Sequence, residues 1–361
     1  MTGKIHRQIH RPLALVALSL LAAGTAQAQS SVTVYGILDA AVRFSSGLDA
    51  AYNGSATSSV AVNSGINNTS RFGLRGVEDI GGGLKVVFNL ESGVNVDTGA
   101  QANATKLFDR AATVGLQGDW GTATFGRQTT VLADTLGTVD PLGVRFPSFN
   151  PNVAIAALNA HRLGIEYGPA GATTGAYRLD NSVKYAGRFG DFTVRAMHAF
   201  GEQGNSSALS SSGAGGAYQT AGWGAALAYA QFKNVAGLTL KGYLGGVNAA
   251  LGTTKLNLSY GSHEAETTLT AKTRNRTLGL GATVPLSGEI DLILTAYQVK
   301  RTRTAAVDDG FNRVVSFLEY KLSKRSKLYA ELDYTRWKNA YQGAGLKDTA
   351  TGLSFGLLHT F

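Results

Sequence analysis

The chain has 361 residues, including 46 glycines, 6 prolines and no cysteine, so disulfide bonds do not stabilise it. Its formal net charge is +9, but the basic residues are spread singly along the sequence, which argues against a nucleic-acid-binding protein. Abundant glycine with scarce proline is typical of long strands and tight turns, and it argues against a disordered polar chain.

The N-terminus has the three parts of a secretory signal peptide. Three basic residues come first, an apolar run follows over residues 13–23, and Ala26 and Ala28 put small residues at the cleavage site. The apolar run is too short to cross a membrane comfortably as a helix. We therefore predict a cleaved signal peptide over residues 1–28 and a mature domain over residues 29–361, with a formal charge of +6 once the three basic residues are removed.

The mature sequence begins with a two-residue alternation of apolar and polar side chains over residues 32–44. The same alternation recurs at residues 84–91, 255–260 and 327–334. Strands of about 10–13 residues are longer than sandwich strands and suit tilted membrane strands. Their polar faces carry charge, as a water-filled lumen requires, and Glu331 and Asp333 share such a face and are predicted to line the pore. The pattern therefore predicts a transmembrane β-barrel.

Connection lengths support this prediction. Tight turns are predicted at residues 79–83, 118–121, 286–289 and 323–326, and long polar loops at residues 45–68, 95–106, 129–158, 263–273, 302–310 and 339–348. Short periplasmic turns that alternate with long outer loops are typical of bacterial barrels, whose strand number is even. Fifteen strands are recognised individually, but both chain ends should lie on the periplasmic side, which requires an even number. Strands counted forward from Ser31 and backward from Phe361 differ by one between about residues 160 and 236. We place the sixteenth at residues 161–168.

Eight short motifs give the family signal of the mature sequence. They are VYGILD (34–39), SRFGLRG (70–76), EDIGGGLK (78–85), LFDR (107–110), VGL (114–116), WGTATFGRQ (120–128), DNSVKY (180–185) and GLLHTF (356–361). In order and spacing they resemble the trimeric general porins of Gram-negative bacteria over essentially the whole mature chain. The resemblance implies a homotrimer of all-β, 16-stranded antiparallel transmembrane β-barrels, each with an inward-folded third outer loop, that passes small hydrophilic solutes by passive diffusion.

The resemblance also implies a pore constriction between a basic wall and an acidic loop. By motif matching, the basic wall would contain Arg71, Arg75, Arg110 and Arg127. The loop over residues 129–158 would contribute Asp134 and Asp140 as candidate acids, although it also contains Arg145. A ring of guanidinium groups in a narrow pore favours anions electrostatically, and the mature charge agrees, so we predict a weak anion preference.

Strand alternation bears on this wall independently of the resemblance. Arg71 and Arg75 lie opposite two apolar residues and are predicted to face the lumen, since arginine at the lipid midplane costs ~2–4 kcal/mol. Arg127 shares the phase of Phe125, which leaves two explanations open. Either the outer face there carries small residues that pack against another subunit, or a β-bulge shifts the register.

The chain ends at Phe361, after an alternating strand. The terminal aromatic closes an apolar row formed by Leu353, Phe355 and Leu357. In the porins that this chain resembles, such an ending is the signal read by the outer-membrane assembly machinery. We expect this strand to pair with the one that starts at Ser31, which would remove both sheet edges.

No sequence feature predicts an enzyme, a cofactor or a metal site. The GLSFG motif at residues 352–356 matches a hydrolase nucleophile elbow but lies inside an alternating strand, and the mature histidines lack ligand spacing. The favoured prediction is a general diffusion porin of a Gram-negative outer membrane, in contact with lipid, lipopolysaccharide and the assembly machinery. A substrate-specific barrel channel is the alternative, and an enzyme or adhesin built on a barrel is the third.

Overall fold

The computed structural model describes residues 31–49, 52–146, 149–152, 177–204 and 206–361. Within them the strands are β1 (Ser31–Leu48), β2 (Gly54–Ser64), β3 (Arg71–Gly81), β4 (Leu84–Gly93), β5 (Ala111–Gly118), β6 (Gly121–Thr129), β7 (Arg178–Phe189), β8 (Phe192–Ala199), β9 (Ser211–Gln219), β10 (Trp223–Lys233), β11 (Thr239–Leu251), β12 (Thr254–Glu266), β13 (Lys272–Pro285), β14 (Ile290–Arg303), β15 (Asp309–Lys321), β16 (Ser326–Lys338) and β17 (Thr349–Thr360). One helix, α1 (Val131–Val139), follows β6. No helix in the described ranges is long and apolar enough to cross a membrane. The predicted signal peptide, residues 1–28, lies outside these ranges.

The strands close into an antiparallel barrel with 16 positions around its wall, each of which we call a stave. The first half of β1 pairs with β3, from Ser31 opposite Val77, and its second half pairs with β2, from Ala40 opposite Ser64. The strands β2 and β3 are therefore two parts of one stave, interrupted at residues 65–70. Each later strand pairs with the next, and β17 returns to β1, as expected for the closing strand.

Side chains alternate between two faces along each stave. In β1, Val34 and Val42 are 63% and 53% exposed, whereas Asp39 and Arg43 are 0% and 3% exposed. Exposed apolar rows of this kind recur around the barrel, and we call this side the outer face and the opposite side the lumenal face. Lipid-facing barrels show this apolar-out, polar-in alternation.

Most connections lie where the sequence predicts them, with two corrections. The turn over residues 286–289 and the loop over residues 339–348 fit between strands as predicted. The predicted loop 45–68 is instead mostly strand, and the loop 263–273 is shortened because β12 continues through Glu266. Both segments are polar, and a ladder that extends beyond the lipid into water needs no apolar row.

A further prediction concerns the position of the sixteenth strand. Residues 161–168 lie outside the described ranges, and the 16 staves are complete without them. The interval where the two counts disagree contains β7 to β10. Among these, β9 has the sequence SSGAGGAYQ, which is mostly serine, glycine and alanine and so has no apolar row.

Helix α1 packs against the lumenal face of β9, β10 and β11. Its Leu132 is fully buried in a cluster that includes Leu240 of β11. Two glycines permit this close approach, since a Cβ atom at Gly242 would lie 2.9 Å from Leu132 Cδ1 and one at Gly213 would lie 2.7 Å from Val131 Cγ2.

Candidate functional site

Two of the predicted wall arginines meet at one carboxylate. Arg110 Nε lies 2.7 Å and Arg71 Nε 3.6 Å from the carboxylate of Glu91, which lies on β4. Tyr35 of β1 donates its hydroxyl to the same carboxylate at 2.9 Å. We call Tyr35, Arg71, Glu91 and Arg110 the Glu91 cluster. It contains two guanidinium groups and one carboxylate, so it carries a net positive charge.

A glycine lets the tyrosine reach across the wall. In the strand register Gly73 lies between Tyr35 and Glu91, and a Cβ atom there would be 2.8 Å from the tyrosine ring. The ring thus crosses β3 directly over Gly73. It also supports Arg75, which is exposed and whose guanidinium carbon lies 5.0 Å from the centre of the Tyr35 ring.

Arg178 adds a further basic group that sequence reasoning missed. It is buried, and its guanidinium carbon lies 4.2 Å from the ring centre of the adjacent Tyr177. Burial alone would raise the pKa of the Tyr177 phenol, but the charges of Arg178 and Arg110 lower this pKa overall. The lowered pKa of the Tyr177 phenol therefore indicates a positive potential beside the Glu91 cluster.

Arg127 takes part in a separate ion pair. Its Nη1 lies 2.7 Å from Asp180 of β7, and it is 8% exposed. The β5–β6 register puts Arg127 in the row of Phe125, which is 49% exposed on the outer face. A β-bulge is present, as one of the two explanations requires, but the extra residue is in β7, where Asn181 has a φ of 51°. It therefore leaves the phase of Arg127 unchanged.

The first candidate loop acid, Asp134, lies in the first turn of α1. Its carboxylate lies 2.9 Å from Lys184 Nζ and 3.8 Å from Arg195 Nε, and Thr129 donates a hydrogen bond to it at 2.7 Å. The helix is capped by Thr130, whose hydroxyl oxygen accepts from the Ala133 N–H. The wall cations thus neutralise this acid at the point where the loop leaves the sheet.

The second candidate loop acid, Asp140, is buried and caps the other end of α1. It is 4% exposed and accepts hydrogen bonds from Asn150 at 2.9 Å, Asn152 at 2.7 Å and the Tyr297 hydroxyl at 2.9 Å. Burial raises its pKa, and the donors from Asn152, Asn150 and Tyr297 oppose only part of this rise. The geometry suits an anchor that holds the end of α1, Asn150 and Asn152 to the wall.

The predicted pore-lining acids Glu331 and Asp333 lie on the lumenal face but are fully covered. Both are 0% exposed and bind Arg43 of β1, with distances of 2.7 Å from Nη1 to Glu331 and 2.5 Å from Nη2 to Asp333. We call these three residues the Arg43 cluster. The two acids share the lumenal face, as the sequence predicts, but alternation identifies the face of a residue and not what covers it.

Aromatic residues of the loop cover the Arg43 cluster. The Arg43 guanidinium carbon lies 5.5 Å from the ring centre of Phe146 and 5.8 Å from that of Phe149. Arg313 of β15 also stacks on Phe149, at 3.6 Å, and donates a hydrogen bond to its carbonyl oxygen. These cation–π contacts attach the loop to the wall on the side away from α1.

Arg145 brings a positive charge to the same loop. Its Nη1 lies 2.6 Å from Glu319 of β15, which also binds Lys327 Nζ at 2.8 Å. Arg145 is 33% exposed, whereas Glu319 is 4% exposed. The exposed part of this pair is therefore basic.

The C-terminal residue completes the barrel seam. Phe361 exchanges two backbone hydrogen bonds of 3.1 Å with Gly36 of β1. A Cβ atom at position 36 would lie 2.4 Å from the Phe361 ring, so the ring packs directly over the glycine. No group of three or more potential metal ligands occurs in the parts of the chain that the structure describes.

Comparison with known proteins agrees with the barrel fold. The family model described as Gram-negative porin matches residues 14–340. The chain belongs to the Gram-negative porin family. It is 31% identical to an outer membrane porin protein of Bordetella pertussis, over 96% of this chain and 99% of the relative. It is 30% identical to outer membrane porin protein 32 of Delftia acidovorans, again over 96% and 99%.

Solved structures resemble this porin over almost its whole length. The anion-selective porin from Comamonas acidovorans has 27% sequence identity and a TM-score of 0.76, covering 92% of this chain and 100% of that chain. Outer-membrane expressed OmpT of Vibrio cholerae, at 16% identity and a TM-score of 0.67 over 92% and 98% of the chains, shares the fold. The protein is thus an outer-membrane porin, and its family is one of passive channels and not of enzymes.

Proposed function

We propose that this porin is an anion-preferring diffusion channel for small hydrophilic solutes, narrowed by residues 129–158. The observation that carries the proposal is the surplus of positive charge on the lumenal face, where Arg75 is exposed and Arg71 and Arg145 are partly exposed. Arg71 and Arg110 share one carboxylate, Arg75 is exposed beside them, and the exposed member of the Arg145–Glu319 pair is the arginine. A positive wall in a narrow, partly dehydrated pore attracts anions and repels cations.

The proposal that the loop folds inward rests on its contacts with lumenal side chains. Asn152 donates a hydrogen bond to Ser259 of β12, and Asp140 accepts one from Tyr297 of β14. At the other end, Phe149 packs on Arg313 of β15. A loop attached to strands on several sides of a barrel interior would reduce the cross-section of the channel.

The candidate constriction then has an asymmetric electrostatic character. We assign its basic wall to Arg71, Arg75 and Arg110, with Asp134 of the loop neutralised by Lys184 and Asp140 buried as an anchor. Arg127 belongs to the neighbouring Asp180 pair. The similarity to an anion-selective porin supports the same direction of selectivity.

Three further assignments complete the proposed function. We propose that residues 1–28 are removed on export, that Phe361 is recognised by the outer-membrane assembly machinery, and that three mature barrels form a homotrimer in contact with outer-membrane lipid and lipopolysaccharide. A solved relative of 16% identity is described as a trimer form. Gel mobility of the purified protein before and after heating tests trimer formation.

Reversal potentials in a planar bilayer test the selectivity. Under a tenfold KCl gradient we expect a potential of the sign given by chloride permeating faster than potassium, together with conductance steps of a water-filled pore. The variant that combines Arg71→Gln, Arg75→Gln and Arg110→Gln should lose most of this preference while it still conducts. A wild-type channel that prefers potassium would overturn the proposal.

A further inference from the structure

A row of cations crosses the outer face of β13 to β16 near one end of the barrel. In the strand register Arg276 pairs with Lys300, Lys300 pairs with Gly310, and Gly310 pairs with Lys338. The three cations are all exposed and lie in the outward phase of their strands. They therefore stand side by side on the wall and point away from the lumen.

Neighbouring residues extend the row into a basic belt. Arg336 lies two residues below Lys338, and Lys241 of β11 lies opposite Glu264 of β12. Glu264 is already bound by Lys272 and Arg274. By contrast, four cations of the belt form no ion pair within the described residues. They are Arg276, Lys300, Arg336 and Lys338. The belt therefore keeps an uncompensated positive charge on the membrane side of the barrel.

The two ends of these strands differ sharply on the outer face. The belt lies at the end of the long loops, such as residues 339–348, which is the extracellular end in bacterial barrels. At the opposite end, beside the tight turns, the outward residues of the same strands are Val284, Leu292, Leu318, Tyr320 and Leu328. The excess of cations is thus confined to the end that meets the outer leaflet.

An apolar groove lies directly below the belt. Two alanines, Ala282 and Ala296, stand among larger apolar residues in the register, and the groove they leave has a volume of about 620 Å³. Clefts of about 300–1,000 Å³ are typical of ligand sites. The groove and the belt share strands, and four residues separate Ala296 from Lys300, which corresponds to roughly 13 Å along a strand.

We propose that this surface binds the lipid A part of lipopolysaccharide, with its phosphate groups on Arg276, Lys300, Arg336 and Lys338 and an acyl chain in the groove at Ala296. Lipid A combines these two chemistries, since it carries phosphates on a sugar headgroup above several acyl chains. The proposal names the site of the lipopolysaccharide contact assigned above and rests on it. The positive charge of the belt determines where the phosphorylated headgroup binds, and the position of the groove determines the direction in which the acyl chain extends.

Binding of purified lipid A to the detergent-solubilised wild-type porin tests the site. Native mass spectrometry should show that bisphosphorylated lipid A binds more tightly than its dephosphorylated form. The double variant Arg276→Gln and Lys300→Gln should weaken this binding roughly ten- to thirtyfold, because each cation near an anionic lipid surface contributes separately. Ala296→Phe should weaken binding of both forms of the lipid, since it fills the groove without a change in charge.

The matched control removes two charges from the other membrane side. Lys324→Gln with Arg325→Gln changes the exposed turn between β15 and β16 and should leave lipid A binding unchanged. Equal binding by the belt variant and the wild type would overturn the proposal, as would equal loss in the control or equally tight binding of phosphatidylglycerol. Channel conductance of the same samples separates the two ideas, because a porin that conducts but does not bind lipid A contradicts only the lipid site.

Discussion

The Glu91 cluster and the Arg43 cluster are built from the same residue types on the same face of the barrel, yet they have different surroundings. In the first, Arg71 is 19%, Glu91 14% and Arg110 9% exposed. In the second, Arg43 is 3% exposed and both acids are 0% exposed. The difference comes from the loop, because Phe146 and Phe149 lie over Arg43 and cover the second cluster only.

Under the proposed function, one lumenal wall serves both conduction and stability. Charges in contact with pore water act on passing ions at a distance but contribute little to stability, because water screens them. Charges sealed beneath aromatic rings interact strongly with each other and have no access to ions. Coverage by the loop, and not the identity of the residues, therefore decides which arginines are available for selectivity.

The largest expected effect concerns the buried side of this comparison. Arg43→Met removes the only cation that binds Glu331 and Asp333 among the described residues and leaves two buried carboxylates unpaired. We expect the free energy of unfolding to fall by about 3–5 kcal/mol. Urea unfolding of the porin in lipid vesicles, followed by tryptophan fluorescence, measures this change.

Two controls define that result. Arg75→Met removes an exposed arginine from the same face and should cost less than about 0.5 kcal/mol. Adding Glu331→Gln and Asp333→Asn to Arg43→Met should restore much of the lost stability, since no buried charge then remains unpaired. Equal losses for Arg43→Met and Arg75→Met would show that loop coverage does not separate the two clusters.

The next effect separates the two loop acids. Asp140→Ala removes the acceptor of three buried donors, on Asn150, Asn152 and Tyr297, and should cost about 2–3 kcal/mol. Because these donors hold the loop, we also expect noisier open-channel current in planar bilayers. Asp134→Ala should cost about 1 kcal/mol or less and leave the current quiet, since Asp134 pairs with partly exposed cations. Quiet current in both variants would contradict the anchoring role of Asp140.

Sequence patterns predicted the barrel because its governing constraint is local. A lipid-exposed wall requires an apolar residue at every second position, and Val34 and Val42 show that alternation directly. The prediction failed where the constraint is absent. The strand β9 has mostly small residues, and in β2 only Val60 and Val62 are large apolar residues, so neither has a long apolar row to detect.

The charged site was less predictable, since it depends on contacts between distant segments. Alternation assigns Arg43, Arg71 and Asp333 to the lumenal face. It contains no information about Phe146 and Phe149, which lie more than a hundred residues from Arg43 and help to cover that arginine. The phase of Arg127 was a usable signal. It matches Phe125, and the β5–β6 register places both residues in the same row.

A smaller effect tests that distinction between Arg71 and Arg127. Arg71→Gln should lower the chloride-to-potassium permeability ratio roughly two- to fourfold, because one charge beside the ion path contributes about 0.5–1 kcal/mol in a wet pore. Arg127→Gln should change the ratio by less than about a fifth, since this arginine is buried, with its charge bound to the Asp180 carboxylate that it shares with Lys106. Reversal potentials under the same gradient compare both variants with the wild type. If Arg127→Gln lowered the permeability ratio more than Arg71→Gln did, Arg127 would have to be assigned to the basic wall.

The smallest effect uses salt to distinguish exposed from buried charge without any substitution at the Glu91 cluster. The Debye length falls from ~10 Å at 0.1 M salt to ~3 Å at 1 M, so water-filled regions lose most of their long-range field. The chloride preference of the wild type should therefore decline steadily between these concentrations. The stability difference between wild type and Arg43→Met should persist over the same range, because ions do not reach a cluster covered by Phe146 and Phe149. If salt reduced both quantities in parallel, the Arg43 cluster would have to be accessible to pore water, and the loop could not be its cover.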